Sequence, residues 1–203
     1  TVGSEADFIS NGGVNGTTNS IVITGQPTGL IASNAFYNSG SYAAYDSAGF
    51  VRAYNYSSDA NAVIAPAGVN FGTVTSSSNV EVTGAISNQG TTAINTLDIN
   101  GANNIIMANS TTLTLNSILK TGGGSSTISG QTSVTTGGSN SLVLRADQSG
   151  DVLEIPAIGS TSTGGVTVTG LGTVIQSGLG SYSGGTVIDP GATFQVGNGT
   201  GQI

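Results

Sequence analysis

Hydrophobic residues along this chain come in short bursts, and within most bursts they alternate with polar ones. Val80-Glu81-Val82, Leu97-Asp98-Ile99, Leu113-Thr114-Leu115 and Val166-Thr167-Val168 show the alternation plainly. Ile21-Val22-Ile23, Leu142-Val143-Leu144 and Val152-Leu153-Glu154-Ile155 are apolar stretches of similar length. Successive side chains of a strand point to opposite faces, so this alternation marks a strand with one buried face. Gly, Asn and Ser clusters separate the bursts and suit turns that need positive φ. No window sustains the spacing of about 3.6 residues that marks a helix. The pattern predicts an all-β chain of many short strands.

The last quarter adds a period. Val166 and Thr186, Val168 and Ile188, Val174 and Phe194, and Gln176 and Val196 each lie twenty positions apart. Strands that recur at a fixed interval belong to a solenoid, in which equivalent residues stack from coil to coil and neighbouring coils supply the core. The predicted fold is a right-handed single-stranded parallel β-helix. At a parallel-strand spacing of ~4.8 Å per coil, the chain length predicts roughly nine coils in a rod about 40 Å long. An immunoglobulin-like sandwich is the competing all-β arrangement, and it requires longer strands than these.

Texture divides the chain in two. Seven aromatics crowd between positions 36 and 56 (Phe36, Tyr37, Tyr42, Tyr45, Phe50, Tyr54 and Tyr56), whereas 72–203 holds only Tyr182 and Phe194. Bulky side chains are what the open end of a solenoid needs to close its core. Residues 1–71 therefore read as atypical first coils or a cap, and 72–203 as regular coils. The chain opens at Thr1 and stops at Ile203 inside a repeat, as a processed product or a fragment would.

Composition narrows the chemistry. Only 6% of residues are charged, against roughly 25% in ordinary soluble domains, yet the aliphatic bursts give the chain something to bury. Histidine and cysteine are absent, which removes the commonest general base and metal ligand, thiol nucleophiles and disulfide staples. Ten acids against three bases (Arg52, Lys120 and Arg145) give a net charge of −7, which disfavours a nucleic-acid partner. No apolar run reaches the roughly 18 residues of a membrane-spanning helix, and no signal peptide is visible.

The segment 170–199 carries a more specific signature. Gly172-Thr173-Val174, Ser177-Gly178, Tyr182-Ser183-Gly184-Gly185-Thr186 and Gly191-Ala192-Thr193-Phe194-Gln195-Val196-Gly197 follow one another there. This run resembles the autotransporter-associated β-strand repeat, also called the passenger-associated transport repeat. Gly172, Val174, Tyr182, Gly184, Gly185, Thr186, Ile188, Gly191, Phe194 and Val196 occupy the places of that pattern. A looser likeness extends upstream through Ile118-Leu119-Lys120-Thr121-Gly122, Ile128-Ser129-Gly130 and Leu142-Val143-Leu144-Arg145. The resemblance implies a β-helix exported by Gram-negative-type bacteria, working as an adhesin, matrix component or display stalk.

Candidate sites are few. Asp147, Asp151 and Glu154, beside Arg145, form the densest charge cluster. It reads either as a Ca²⁺ site or as a solvated turn with a local Arg–Asp pair, and its spacing fits neither the EF-hand loop nor the Gly-Gly-x-Gly-x-Asp repeats of calcium β-rolls. The same carboxylates are the candidates for a polysaccharide-cleaving enzyme, a weaker reading that rests on fold analogy. Tyr42, Tyr45 and Tyr54 are candidates for a glycan-stacking platform, or for a cap. Gly122-Gly123-Gly124 reads as a turn. Asn15, Asn55, Asn109 and Asn198 begin Asn-x-Ser/Thr sequons, and asparagines at β-helix turns stack as ladders that satisfy backbone groups. The expectation is a secreted, non-catalytic structural or adhesive protein without a cofactor. Its partners would be surface or matrix polysaccharides, or copies of itself meeting through ends that include Val2, Phe8 or Ile203.

Overall fold

A computed structural model describes residues 3–130 and 132–197, and among them every regular element is a strand. Three parallel sheets of seven, six and four strands wind into a β-solenoid of about six turns. The seven-stranded sheet stacks Ala62–Ala65, Asn79–Val82, Thr96–Asn100, Ser117–Thr121, Leu142–Ala146, Val166–Gly170 and Thr186–Ile188. The twenty-residue offset is borne out residue for residue: Val166 pairs with Thr186, Val168 with Ile188, Val174 with Phe194 and Gln176 with Val196. Elsewhere the offset stretches from seventeen residues, Asn79 to Thr96, to twenty-seven, Gly124 to Asp151. Longer coils are one reason the turns number about six rather than nine. The other is that the chain before Ala62 does not coil at all.

Register makes the core. Val80, Leu97, Ile118, Leu144 and Val168 all point inward from the seven-stranded sheet and join one fully buried cluster with Ile105, Ile128, Leu153, Ile155 and Val174. At about 25 cal/mol per Å² of apolar surface removed from water, this column supplies most of the driving force. Phe71 seals the first turn at 2% exposure, and its N–H donates to Oε1 of Gln89 at 2.8 Å. On the last described rung, Ile188 and Val196 remain 50% and 55% exposed.

The first sixty residues run along the flank of the column. Ala6–Phe8, Gly29–Leu30, Ala35–Tyr37, Ser41–Tyr45 and Val51–Ala53 form a mixed five-stranded sheet. Its central hairpin turns through Asn38, Ser39 and Gly40, with Asn38 and Ser39 both at positive φ (48° and 50°), the conformation of a tight type I′ turn. One face, Phe36, Tyr42, Ala44 and Tyr54, packs on Leu119 and Val143, which point outward from the seven-stranded sheet. The other face, Tyr37, Tyr45 and Val51, is covered by Phe8, Ile21, Ile23 and Ile31. Ile21-Val22-Ile23 thus lies outside any strand, although Ile21 and Ile23 are packed and Val22 faces solvent. Of the residues expected at the ends, Phe8 packs within this flank layer, while Val2 and Ile203 lie outside the described residues.

Stacking at rung spacing leaves no room for a side chain where two turns cross. A Cβ on Gly170, whose φ is +93°, would stand 2.0 Å from the carbonyl oxygen of Ala146, whereas one on Gly185 would meet nothing within 4 Å. Gly170→Ala is therefore expected to cost about 2–4 kcal/mol through clash and backbone strain. Gly185→Ala should stay within about 0.5 kcal/mol. Urea unfolding of the two variants checks the contrast, and equal stabilities would contradict the register described.

Candidate functional site

All three cations of the chain are committed to ion pairs. Arg52 Nε meets Asp46 at 2.7 Å and its Nη2 meets Asp59 at 2.7 Å, closing the turn after the flank hairpin. Hydrogen bonds from Arg52 hold the Asp59 carboxyl below the usual range, and the Ala48 N–H does the same for Asp46, with Arg52 second. Arg145 fastens the flank layer to the column: it reaches Asp147 at 3.1 Å, Glu5 at 3.3 Å and Asp7 at 2.8 Å. Its guanidinium also lies 4.6 Å from the centre of the Phe36 ring, a cation–π contact strengthened by desolvation.

The third cation lies inside. Lys120 follows Ile99 in the stack of inward residues. Its Nζ donates to the carbonyls of Thr121 (2.6 Å) and Gly123 (2.9 Å) and to Oδ1 of Asp151 (3.2 Å). The Gly123 carbonyl comes from the corner Gly122-Gly123-Gly124, all three at positive φ, and the Thr121 carbonyl from the strand end just before it. Asp151 also accepts the Gln148 N–H at 2.9 Å. Lys120 and Asp151 are both fully buried, and each proton of the ammonium has an acceptor, the condition under which a buried ion pair is tolerated.

The Ca²⁺ reading of Asp147, Asp151 and Glu154 does not fit this geometry. Asp147 turns outward to Arg145, Asp151 turns inward to Lys120, and Glu154 stands between the inward-facing Leu153 and Ile155 on the six-stranded sheet. Among the described residues no group of three acidic side chains could hold a metal ion. The local Arg145–Asp147 pair is present, but it is buried rather than solvated, and burial pushes the Asp147 carboxyl up against the pull of Arg145.

Nor do the tyrosines offer a stacking face. Tyr42, Tyr45 and Tyr54 are 0%, 7% and 4% exposed. The Tyr42 hydroxyl donates to the carbonyl of Leu97 and shares a 2.9 Å hydrogen bond with Ser117, and the Tyr54 hydroxyl donates to the Ala60 carbonyl at 2.7 Å. Tyr42 and Tyr54 are the adhesive between the layers, which is what bulky aromatics with one polar tip do when buried, while Tyr45 lies in the outer cluster with Tyr37 and Val51.

Asp98 was legible only as the polar member of an alternating strand, yet it is the most perturbed carboxyl in the seam. It points outward from the seven-stranded sheet and is buried beneath the flank layer at 4% exposure. Its oxygen accepts the Thr121 hydroxyl at 2.9 Å. Burial raises its pKa to about 8, with Glu81 adding to the rise and Lys120 opposing it. The Tyr56 hydroxyl, buried nearby without a hydrogen-bond partner, is also pushed up by burial.

Where the flank layer meets the turns, asparagines stack. Nδ2 of Asn95 donates to Asn79 at 2.9 Å, Asn116 to Asn95 at 3.0 Å and Asn140 to Asn116 at 3.1 Å, while Asn79 donates to the Tyr54 hydroxyl at 3.0 Å. The ladder expected for turn asparagines is therefore present, at positions other than the sequons. Two hollows open beside it, of about 500 Å³ and 260 Å³, and Ser33 lines both. A third, of about 470 Å³, surrounds the Arg145 cluster and reaches Asp189.

Two outcomes follow. Asp151→Ala leaves the Lys120 ammonium buried without its counter-ion and should cost about 3–5 kcal/mol, while Lys120→Met combined with Asp151→Leu should recover most of that loss; denaturant unfolding decides. For Asp98, the folded state keeps a proton that the unfolded chain releases near its ordinary value of 3.8. Its contribution is complete below that value and is lost as pH rises through about 8. Stability measured at pH 8 should therefore lie below that at pH 5, by on the order of a few kcal/mol, and Asp98→Asn should flatten the difference.

Compared with protein-family models, with curated proteins and with solved structures, the chain finds no match.

Proposed function

We propose that this chain is a non-catalytic structural segment of an extracellular bacterial surface or matrix protein, in which the solenoid is a stiff shaft and the flank layer the face it presents. The observation that carries the reading is the way the layer is attached. It lies along the column from Tyr54 against Asn79 to the Gly3 N–H on Thr167, spanning successive rungs rather than closing an end. Such a design holds a broad surface rigid without a metal or a disulfide, because the aliphatic column and continuous ladders supply the stability.

The chemistry of the polar groups agrees. Two of the carboxylates considered for bond cleavage are engaged in holding the fold: Asp151 neutralises Lys120, and Asp147 pairs with Arg145. Loss of activity in an Asp151→Ala variant would consequently report on folding rather than on catalysis. Within the stretch that resembles the transport-associated repeat, successive rungs stack in parallel, with the buried Val174 paired to Phe194.

The test is adhesion. Bacteria displaying the chain are expected to be retained under flow on surfaces coated with matrix proteins or polysaccharides, severalfold more than the same cells displaying an unrelated β-solenoid. Soluble chain incubated with those polysaccharides should release no reducing ends or unsaturated products. Retention no better than the control, or turnover of a polysaccharide, would overturn the proposal.

A further inference from the structure

The two hollows beside the asparagine ladder adjoin at Ser33. Between them they touch Asn79, Asn95, Asn116 and Asn140, so the floor crosses four successive coils. One wall is the column and the other is the flank layer, through Leu30, Ile31 and Ala32. We propose that this seam is a binding groove for an extended, uncharged polysaccharide strand.

Three observations carry the ligand class. The first is charge: in a chain of net charge −7, no Asp, Glu, Lys or Arg among the described residues lines either hollow. A groove without fixed charge gives no advantage to a phosphate, a sulfated glycan or an amine, and the desolvation of an ionic ligand would go uncompensated.

The second is unspent hydrogen-bonding capacity. Each ladder amide gives one Nδ2–H to the next, and a primary amide has two. Among the described residues, the hydroxyls of Thr28, Ser33, Ser76, Ser77 and Ser139 make no hydrogen bond, although all five line the groove. Hydroxyl-rich ligands satisfy such groups directly or through bridging water.

The third is spacing. The ladder repeats its donors once per coil, at the parallel-strand interval of ~4.8 Å. Evenly repeated donors along a line suit a polymer of repeating units better than a single compact molecule. The half-buried apolar strip of Leu30, Ile31 and Ala32 on one side offers contact to the C–H faces of sugar rings. The inference deepens the display reading and rests on it only for where such a polymer is met.

Affinity electrophoresis of the whole chain tests it, in gels cast with neutral polymers (dextran, β-glucan, galactomannan) and with anionic ones (alginate, chondroitin sulfate). The chain is expected to be retarded by at least one neutral polymer and by neither anionic one. Ser33→Trp fills the groove where the hollows adjoin and should weaken the retardation at least tenfold. Ser139→Arg, on an exposed position at the far end, should weaken it as well, and it keeps the test valid if the tryptophan variant fails to fold. Circular dichroism melts establish that the variants used are folded. Free migration in every neutral gel, retardation by anionic polymers instead, or undiminished retardation of a folded variant would overturn the groove. Displayed cells that still adhere to a protein matrix would then leave the display reading standing. Ser33-dependent retardation without cell adhesion would reject display alone.

Discussion

Parallel pairing between successive coils is the constraint from which the rest of this structure follows. Hydrogen bonding along the rungs forces residues at equivalent positions to lie directly above one another, so each position in a coil becomes a column of its own kind. Valine over leucine over isoleucine makes the dry interior. Asparagine over asparagine makes a chain of amides in which each acceptor is met by the next donor. Gly170 lies where its neighbour's backbone already fills the space a Cβ would take. A single geometric rule thereby settles burial, polar satisfaction and close approach together, and it does so locally, since each coil answers only to its neighbours.

The flank layer changes the meaning of the outer surface. In a bare solenoid the outward residues of a sheet face water, and Asp98, Arg145 and Thr167 would be ordinary solvated groups. Covered by Phe36, Tyr42 and Tyr54, that face becomes a second interior. Its charges must then be matched from across the interface, which is why Arg145 draws carboxylates from residues 138 and 140 positions away. The layer also gains specificity from this: a guanidinium with three carboxylates and an aromatic ring can be satisfied in only one docking position.

What the sequence disclosed and what it withheld divide along the same line. The solenoid was legible because its signal is a period: Val168 and Ile188, or Val174 and Phe194, declare their partners through spacing alone. The seam was not, because a flank layer that packs on an outer face leaves no period of its own. Tyr42 and Tyr54 read as a cap or core ahead of a platform, and only their neighbours decide which surface they close. Lys120 looked like one of three scattered surface bases, since an inward lysine is unusual among aliphatic partners. A weak cue existed: Lys120 falls two residues after Ile118 in an alternating strand, on the buried side. The outward-facing Leu119 and Val143 were the corresponding cue that something covers that face. The hollows beside the asparagines could not be read in advance, for one of their walls arrives from thirty to a hundred residues away.

Stacking like on like carries a hazard: coils that resemble one another can pair with the wrong neighbour. An interior made only of aliphatic side chains would accept such a slip at little cost. Lys120 removes that degeneracy. Its ammonium carries the Thr121 and Gly123 carbonyls with it on the same coil, but it meets the carboxylate of Asp151 on the next coil in one alignment only, and in any other it would be buried without its counter-ion. The pair acts as a key cut into an otherwise uniform column, giving the polypeptide a fixed origin from which its rungs are counted.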